Sequence, residues 1–166
     1  GFFGAEPWSE GMRHQIEYGL GLEPYDVYGL TELGGPGVAA ECREHDGLPV
    51  LEDHFYSQEI DPQTGAVVEE GVPGGLGPTS HRRRATAVLR YRTRDRSVLV
   101  DAPCRCGNPT RRLRKLTGRT DDLLVLNGGN LFPGQSEVIL LEIEGLAGHY
   151  HVGLARLAHR LPPPPP

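Results

Sequence analysis

Three short stretches decide how this chain reads: Tyr28-Gly29-Leu30-Thr31-Glu32, Tyr91-Arg92-Thr93-Arg94-Asp95 and Gly118-Arg119-Thr120-Asp121-Asp122. In the first, a glycine at a turn lets main chain come close to a bound nucleotide. Glu32 is a hard carboxylate donor of the kind magnesium prefers. Asp95 and Arg119 offer the acceptor and donor that a ribose diol needs. Any one of these residues is weak on its own, because a lone Tyr usually packs, a lone Asp usually caps a turn and a lone Arg usually faces solvent. Together, in this order and spacing, they suit one nucleotide pocket.

Length and composition set the frame. A chain of 166 residues can bury a sizeable core in one domain, or in one domain plus part of a second. Its hydrophobic fraction of 37% is low and its 23 Gly and 15 Pro are many, which predicts a loop-rich globular protein. No basic start followed by an apolar run suggests a secretory leader, and no stretch is long enough to span a bilayer. The expectation is a soluble, cytoplasmic protein with no membrane partner. Three cysteines, two of them at Cys104 and Cys106, argue for reduced thiols or a metal rather than a disulfide framework.

Charge is unevenly spread. Residues 82–119 carry thirteen Lys or Arg against only Asp95 and Asp101, although the whole chain has a net charge of −5. Such a strip is either paired with acidic surface from elsewhere in the chain or attracts a phosphorylated ligand such as a nucleotide or coenzyme A. Nucleic acid is the third and least favoured reading, since Arg82-Arg83-Arg84 lacks a recognition fold to place it in a groove.

Local patterns predict an α+β chain dominated by antiparallel strands. Ser9 caps a short helix in which Met12 and Ile16 share a face, with Gly19 as its stop. Tyr25 to Tyr28 reads as a brief strand, Gly34-Gly35-Pro36-Gly37 as a break, and Val50 to Ile60 as a strand. Asp61-Pro62-Gln63-Thr64-Gly65 is the clearest turn, which returns Val67 and Val68 antiparallel to Phe55–Ile60. Gly71 to Pro78 reads as loop. Strands or bends follow at Val88–Tyr91, Ser97–Val100 and Arg112–Leu116. Leu123–Leu126 reads as a strand, Asn127-Gly128-Gly129-Asn130 as a turn, and Glu137–Ile143 as a helix entered through Pro133. The expected organisation is a first domain over 1–119, a second over 120–153, and a polyproline tail over 154–166.

Further matches lie between these motifs. Gly4-Ala5-Glu6-Pro7-Trp8, Asp53-His54-Phe55-Tyr56, Ile60-Asp61-Pro62 through Gly65, Arg90 to Asp95, Thr117 to Asp122, and Asn130-Leu131-Phe132-Pro133 with Gln135 and Glu137 all stand in order. On these residues, from about Gly4 to Val152, the chain resembles part of a phenylacetate-CoA ligase, in the AMP-forming acyl-CoA synthetase superfamily. That resemblance implies the end of a large AMP-binding domain followed by the start of a small mobile one. It also implies a whole enzyme that joins an aryl acid to coenzyme A through an acyl adenylate, using ATP and magnesium.

Site residues follow from the same resemblance. Gly4, Ala5, Glu6 and Pro7 would line the adenine with main chain, and Tyr28, beside Gly29, would stack on it. Thr31 would bond phosphate or the acyl carboxylate, and Glu32 would hold magnesium. Asp95 would accept from the ribose hydroxyls, Arg119 would donate to the same sugar, and Asp121 would sit at the hinge.

The resemblance also implies parts not found here. Family members begin upstream with a Ser/Thr/Gly-rich phosphate loop and continue to a carboxy-terminal lysine, whereas Lys115, the single lysine, is out of place for that role. Gly74-Gly75-Leu76-Gly77-Pro78 stands where relatives have an apolar strand, which suggests relaxed packing. The expectation is a fragment, a decayed copy or one part of a split enzyme with a missing amino-terminal half, inactive in isolation.

A separate signal comes from sulfur. Cys104-Arg105-Cys106-Gly107 has the form of a metal knuckle, Cys42 is a candidate third ligand for zinc, and His45 or His54 a candidate fourth. Pro49 occupies a position where relatives carry histidine, so the set reads as incomplete, and free thiols are the competing reading. Three function classes therefore stand in order: the ligase fragment, a non-catalytic zinc-bearing interaction module, and a nucleic-acid binder.

Overall fold

The computed structural model describes residues 1–122, 124–126, 129–131, 139, 140, 143, 151 and 153. It opens with strand β1 (Phe2–Gly4) and helix α1 (Glu10–Leu20). Ser9 caps α1 by accepting from the Met12 backbone N–H, as its residue type predicts. The helix runs past Gly19, however, and ends at Gly21, whose φ of 63° lets its N–H reach the Glu17 carbonyl. Gly19 lies inside the helix, so the later glycine supplies the left-handed cap.

Strand β2 (Tyr25–Leu30) pairs in parallel with β1 and antiparallel with β3 (Gly35–Ala40), and a one-turn 3₁₀ helix at Thr31–Leu33 joins the latter two. The predicted break at Gly34–Gly37 is thus mostly strand. The register between β2 and β3 shifts between Tyr28 and Gly29, so Gly29 faces Pro36 while Tyr28 faces Ala39. A side chain at Gly29 would meet the Gly35 carbonyl oxygen at 2.4 Å, which is why glycine stands there.

The largest correction concerns residues 71–80. Gly74–Ser80 is strand β6, paired over Gly75–Ser80 with β5 (Phe55–Ile60). Val67 returns antiparallel to Ile60, with the Asp61 N–H on the Ala66 carbonyl at 2.8 Å and the Val68 N–H on the Glu59 carbonyl at 3.0 Å, so the predicted hairpin forms but is short, and β6 is the extended partner of β5. Two physical facts make this glycine- and proline-rich strand possible. The Leu76 and Pro78 carbonyls accept from Thr93 and Tyr91 on the side away from β5, so the N–H that Pro78 lacks would point to irregular chain and no β5 bond is lost. A Cβ at Gly77 would lie 2.3 Å from Ile60 Cδ1, so the Ile60 side chain fills that space instead. Leu76 and Pro78 are almost fully buried, and the segment is well packed rather than relaxed.

Three further elements complete the units around the site. Strand β4 (Leu48–Pro49), β8 (Leu99–Val100) and β9 (Arg112–Leu113) form a sheet in the order β4-β9-β8. Strand β7 (Asp95–Ser97) joins β6, and β10 (Gly118–Arg119) joins β7, giving the order β10-β7-β6-β5. Val50 makes an isolated bridge to Ala39 and residues 52–54 turn, so the continuous strand predicted from Val50 begins only at Phe55, and Val88–Tyr91 is bend rather than strand. The Asp61–Gly65 turn forms as predicted, with Asp61 Oδ1 accepting from the Gln63 and Thr64 N–H groups and Gly65 at φ 74°.

Strands β11 (Leu124–Leu126) and β12 (Gly129–Leu131) pair antiparallel after the predicted domain boundary. Asn127, Gly128, Pro133, the greater part of the predicted Glu137–Ile143 helix and the 154–166 tail lie outside the described residues. Between the sheets sits one core cluster containing Tyr28, Val38, Val50, Phe55, Leu76, Leu99 and Leu113. Burying each large apolar side chain contributes about 1.5–3 kcal/mol. The α+β class with largely antiparallel sheets is therefore the observed one. Among the described residues no helix is long and apolar enough to cross a membrane.

Candidate functional site

The three stretches that open the sequence reading come together in space because β10 pairs with β7 and the β2 end faces both. Arg119 lies opposite Asp95 across the β7–β10 pairing. Tyr28 Oη donates to Asp95 Oδ2 at 2.7 Å across 67 residues of chain. Arg119 Nη1 donates to the other carboxylate oxygen, Oδ1, at 3.3 Å. Asp95 is thus held from two sides, and its own N–H is fixed by Thr93 Oγ1 at 3.1 Å.

A cavity of about 310 Å³ opens around this group. Its walls include Gly4, Ala5, Glu6 and Pro7, then Tyr28, Gly29 and Glu32, then Asp95 and Arg119. Ala5 has φ 76°, a left-handed conformation that costs a non-glycine residue about 1–3 kcal/mol and turns main chain toward the opening. Gly4 is required beside it, since a Cβ there would meet the Val27 carbonyl oxygen at 2.4 Å. Glu32 stands exposed on the 3₁₀ turn, whose carbonyl end is held by the Arg83 guanidinium bonding the Glu32 backbone oxygen.

Electrostatics follow from these contacts. Burial, then the Asp95 carboxylate, pushes the Tyr28 hydroxyl well above its ordinary pKa, so it stays protonated and donates. Arg119 Nε and Nη2 also chelate Asp121 at 2.9 and 3.1 Å, and Arg94 Nη1 reaches Asp121 Oδ2 at 3.0 Å. Arg119, then Arg94, holds the Asp121 carboxyl well below the usual range.

Thr31 is not on this cavity. It lines an adjoining, more apolar cavity of about 650 Å³ with Phe2, Phe3, Gly35 and Pro36, sharing the Gly4-Ala5 and Gly29-Leu30 wall with the first. Asp26 and Lys115 line the first cavity without any sequence signal that singled them out. Asp26 is pushed above its ordinary value mainly by burial, and the Glu41 carboxylate adds to the shift. Lys115, out of place for the family's carboxy-terminal lysine, is held at the cavity wall by Glu10 at 2.8 Å and lies 5.0 Å from the Trp8 ring centre.

The basic strip is largely paired. Among the described residues at least seven of its thirteen cations, among them Arg111 with Glu52, Arg112 and Arg114 with Asp46, and Lys115 with Glu10, make ion pairs with carboxylates. The pairing explains how the acidic remainder and the strip coexist at one surface.

Of the predicted metal ligands, Cys42, Cys104 and Cys106 do gather, with their sulfurs within 4.8 Å of one another. His45 does not join them. Its ring lies 3.1 Å from Glu41 and 3.0 Å from Arg13 through Nδ1, and 3.4 Å from Glu23 through Nε2. The reason is that Glu41, four residues before, is buried and recruits every nearby donor. His54 packs its ring on Phe55 instead.

No family model matches the chain. The phenylacetate-coenzyme A ligase of Pseudomonas putida is 47% identical over 157 residues, which is 94% of this chain and 35% of the relative. That of Escherichia coli K12 is 42% identical over 160 residues, 96% of this chain and 36% of the relative. Among solved structures, 2-hydroxyisobutyryl-CoA ligase in the postadenylation state with 2-HIB-AMP superposes with a TM-score of 0.82 at 26% identity, covering 89% of this chain and 32% of that one. ATP-bound MatB from Rhodopseudomonas palustris, at 18% identity, 88% coverage of this chain, 30% of that one and TM-score 0.60, shares the fold. The chain spans about a third of the length of the curated relatives it matches. With 42–47% identity over more than nine tenths of its residues, this chain is similar to a stretch of about a third of the length of phenylacetate-coenzyme A ligases.

Proposed function

We propose that this chain forms the nucleotide-binding part of a ligase that activates an aryl acid such as phenylacetate. In the whole protein the acid's carboxylate attacks the α-phosphate of ATP, giving acyl adenylate and pyrophosphate. The thiol of coenzyme A then displaces AMP to give the thioester. Turnover belongs to a protein of the relatives' full length, of which this chain spans about a third. ATP and coenzyme A are cytoplasmic metabolites, so we assign the protein to that compartment.

One observation carries the reading: Gly4–Pro7, Tyr28, Glu32, Asp95 and Arg119, scattered over more than a hundred residues, line one cavity of about 310 Å³. In it the main chain of residues 4–7 borders the adenine and the Tyr28 ring lies beneath it. Asp95 accepts from the ribose hydroxyls while Arg119 donates to the same sugar. Thr31, one wall away, faces the phosphate and acyl end. Asp121, clasped by Arg94 and Arg119, marks the hinge toward the second domain.

The donor set also fits magnesium. Mg²⁺ is typically held by one or two carboxylates together with substrate phosphates, and Glu32 gives one exposed carboxylate on the same cavity as the ribose pair. Bound there, the ion would neutralise charge on the phosphates. Glu32 contributes a fixed charge and shape, and its 3₁₀ turn sets its direction.

Calorimetry tests these roles. Wild-type chain should bind MgATP, and Glu32→Gln, which keeps shape and removes charge, should weaken it roughly tenfold while leaving magnesium-free AMP unaffected. Asp95→Ala should weaken adenosine about 10–30-fold yet leave 2′,3′-dideoxyadenosine unchanged. Equal losses for the two nucleosides would make Asp95 merely structural. No nucleotide binding by wild type at millimolar ligand would overturn the proposal.

A further inference from the structure

Away from the nucleotide cavity, three thiols from two distant segments meet. Cys42 lies two residues beyond the end of β3, and Cys104 and Cys106 lie in the turn between β8 and β9. Cys42 Sγ is 3.5 Å from Cys104 Sγ, and all three sulfurs lie within 4.8 Å of one another. None is in a disulfide.

These separations have a direct chemical meaning. Thiolates bound to zinc at about 2.3 Å in a tetrahedron stand about 3.8 Å apart, inside the range that the three sulfurs already span. The turn that presents them is held rigidly. Gly107 takes φ 89° and donates to the Cys104 carbonyl at 2.9 Å, the Cys104 N–H donates to the Asn108 carbonyl at 3.1 Å, and Asn108 Oδ1 accepts from the Thr110 N–H and hydroxyl, each at 2.9 Å. A rigid turn lowers the ordering cost of ligation. Cys104 is buried, Cys42 half-buried and Cys106 exposed, so the cluster opens to solvent on one side.

We propose that Cys42, Cys104 and Cys106 form a structural binding site for a single soft divalent ion of the zinc class. The three sulfurs bind as thiolates and their protons pass to solvent. His45 is committed to Glu41, so the fourth position is taken by water on the exposed side. The ion ties the end of β3, next to the buried Glu41, to the β8–β9 turn. This site is independent of the nucleotide reading, and its test uses no nucleotide.

The test is cobalt titration of the whole chain, purified reduced and free of chelator. One equivalent of Co²⁺ should give thiolate charge-transfer absorption in the near ultraviolet and intense visible bands of a tetrahedral ion, and zinc should displace both. Loss of a supporting hydrogen bond around a metal already weakens binding roughly 10–100-fold. Cys106→Ser, exposed and so tolerated by the fold, should therefore weaken binding by about 100-fold or more and reduce the charge-transfer band. Zinc should raise the melting temperature of wild type but not of Cys106→Ser. Absence of the thiolate band in wild type, equal binding by wild type and Cys106→Ser, or thiols that react equally fast with and without zinc would each overturn the proposal. Quantitative recovery of a Cys42–Cys104 disulfide under these reducing conditions would also overturn it.

Discussion

Replacing Arg13 with alanine should lower the unfolding free energy by about 3–5 kcal/mol, because it leaves a buried carboxylate without its partner. Arg13 is 5% exposed although it sits on α1. Its Nη2 donates to both Glu41 oxygens at 2.8 and 2.9 Å, and Nη1 donates to the Pro24 carbonyl at 2.5 Å. Nε bonds Glu10 at 3.0 Å, and the guanidinium carbon lies 4.6 Å above the Trp8 ring. Burial opposes the charge on Arg13, but Glu41 and then Glu10 outweigh it and hold its pKa above the ordinary value. Among the described residues Glu41 keeps the Asp26 N–H and the His45 ring when the arginine is gone.

Urea denaturation measures the loss. The double variant Arg13→Ala with Glu41→Ala should lose clearly less than the sum of the two single changes, since the stranded charge is then absent. A loss below about 1 kcal/mol, or strict additivity, would contradict the buried-pair account. The effect reaches the cavity as well. Glu10 bonds both Arg13 and Lys115, so this network seats the lysine on the cavity wall.

Glu59 is the second large lever, and its sign is opposite. On β5 it is 3% exposed, and neither carboxylate oxygen has a hydrogen-bond partner among the described residues. Burial pushes its pKa up from 4.5 to about 7, against the lowering influence of the Leu99 backbone amide. The folded state therefore holds a proton that the unfolded chain releases. Stability from this group is complete below pH 4.5 and is lost as pH rises from there through about 7. The loss over that window amounts to about 3 kcal/mol. Glu59→Gln cannot ionise, so its stability should fall less than that of wild type over the same window and exceed it at pH 8. Parallel pH profiles for the two proteins, from thermal or urea unfolding, would show that Glu59 is not the titrating group.

What the chain's order of residues determines by itself is local or chemical. The Ser9 cap and the Asp61–Gly65 turn are closed by hydrogen bonds spanning two to four residues, so residue type alone specifies them. Tyr28, Glu32, Asp95 and Arg119 could be picked out because their chemistry at ordered positions is unusual, and their gathering needed only β7 and β10 to pair. The rest was decided by partners far along the chain. Gly74–Ser80 reads as loop by propensity, yet it is a strand because Ile60 covers Gly77 and the segment around Tyr91 accepts the side of Pro78 that lacks a donor. His45 has the residue type of a zinc ligand but is taken by Glu41 and Arg13, the latter 32 residues away. Lys115, Asp26 and the buried carboxyl of Glu59 gained their roles in the same way. Proximity and desolvation belong to the folded surface, and neither is written in the spacing of residues along one segment.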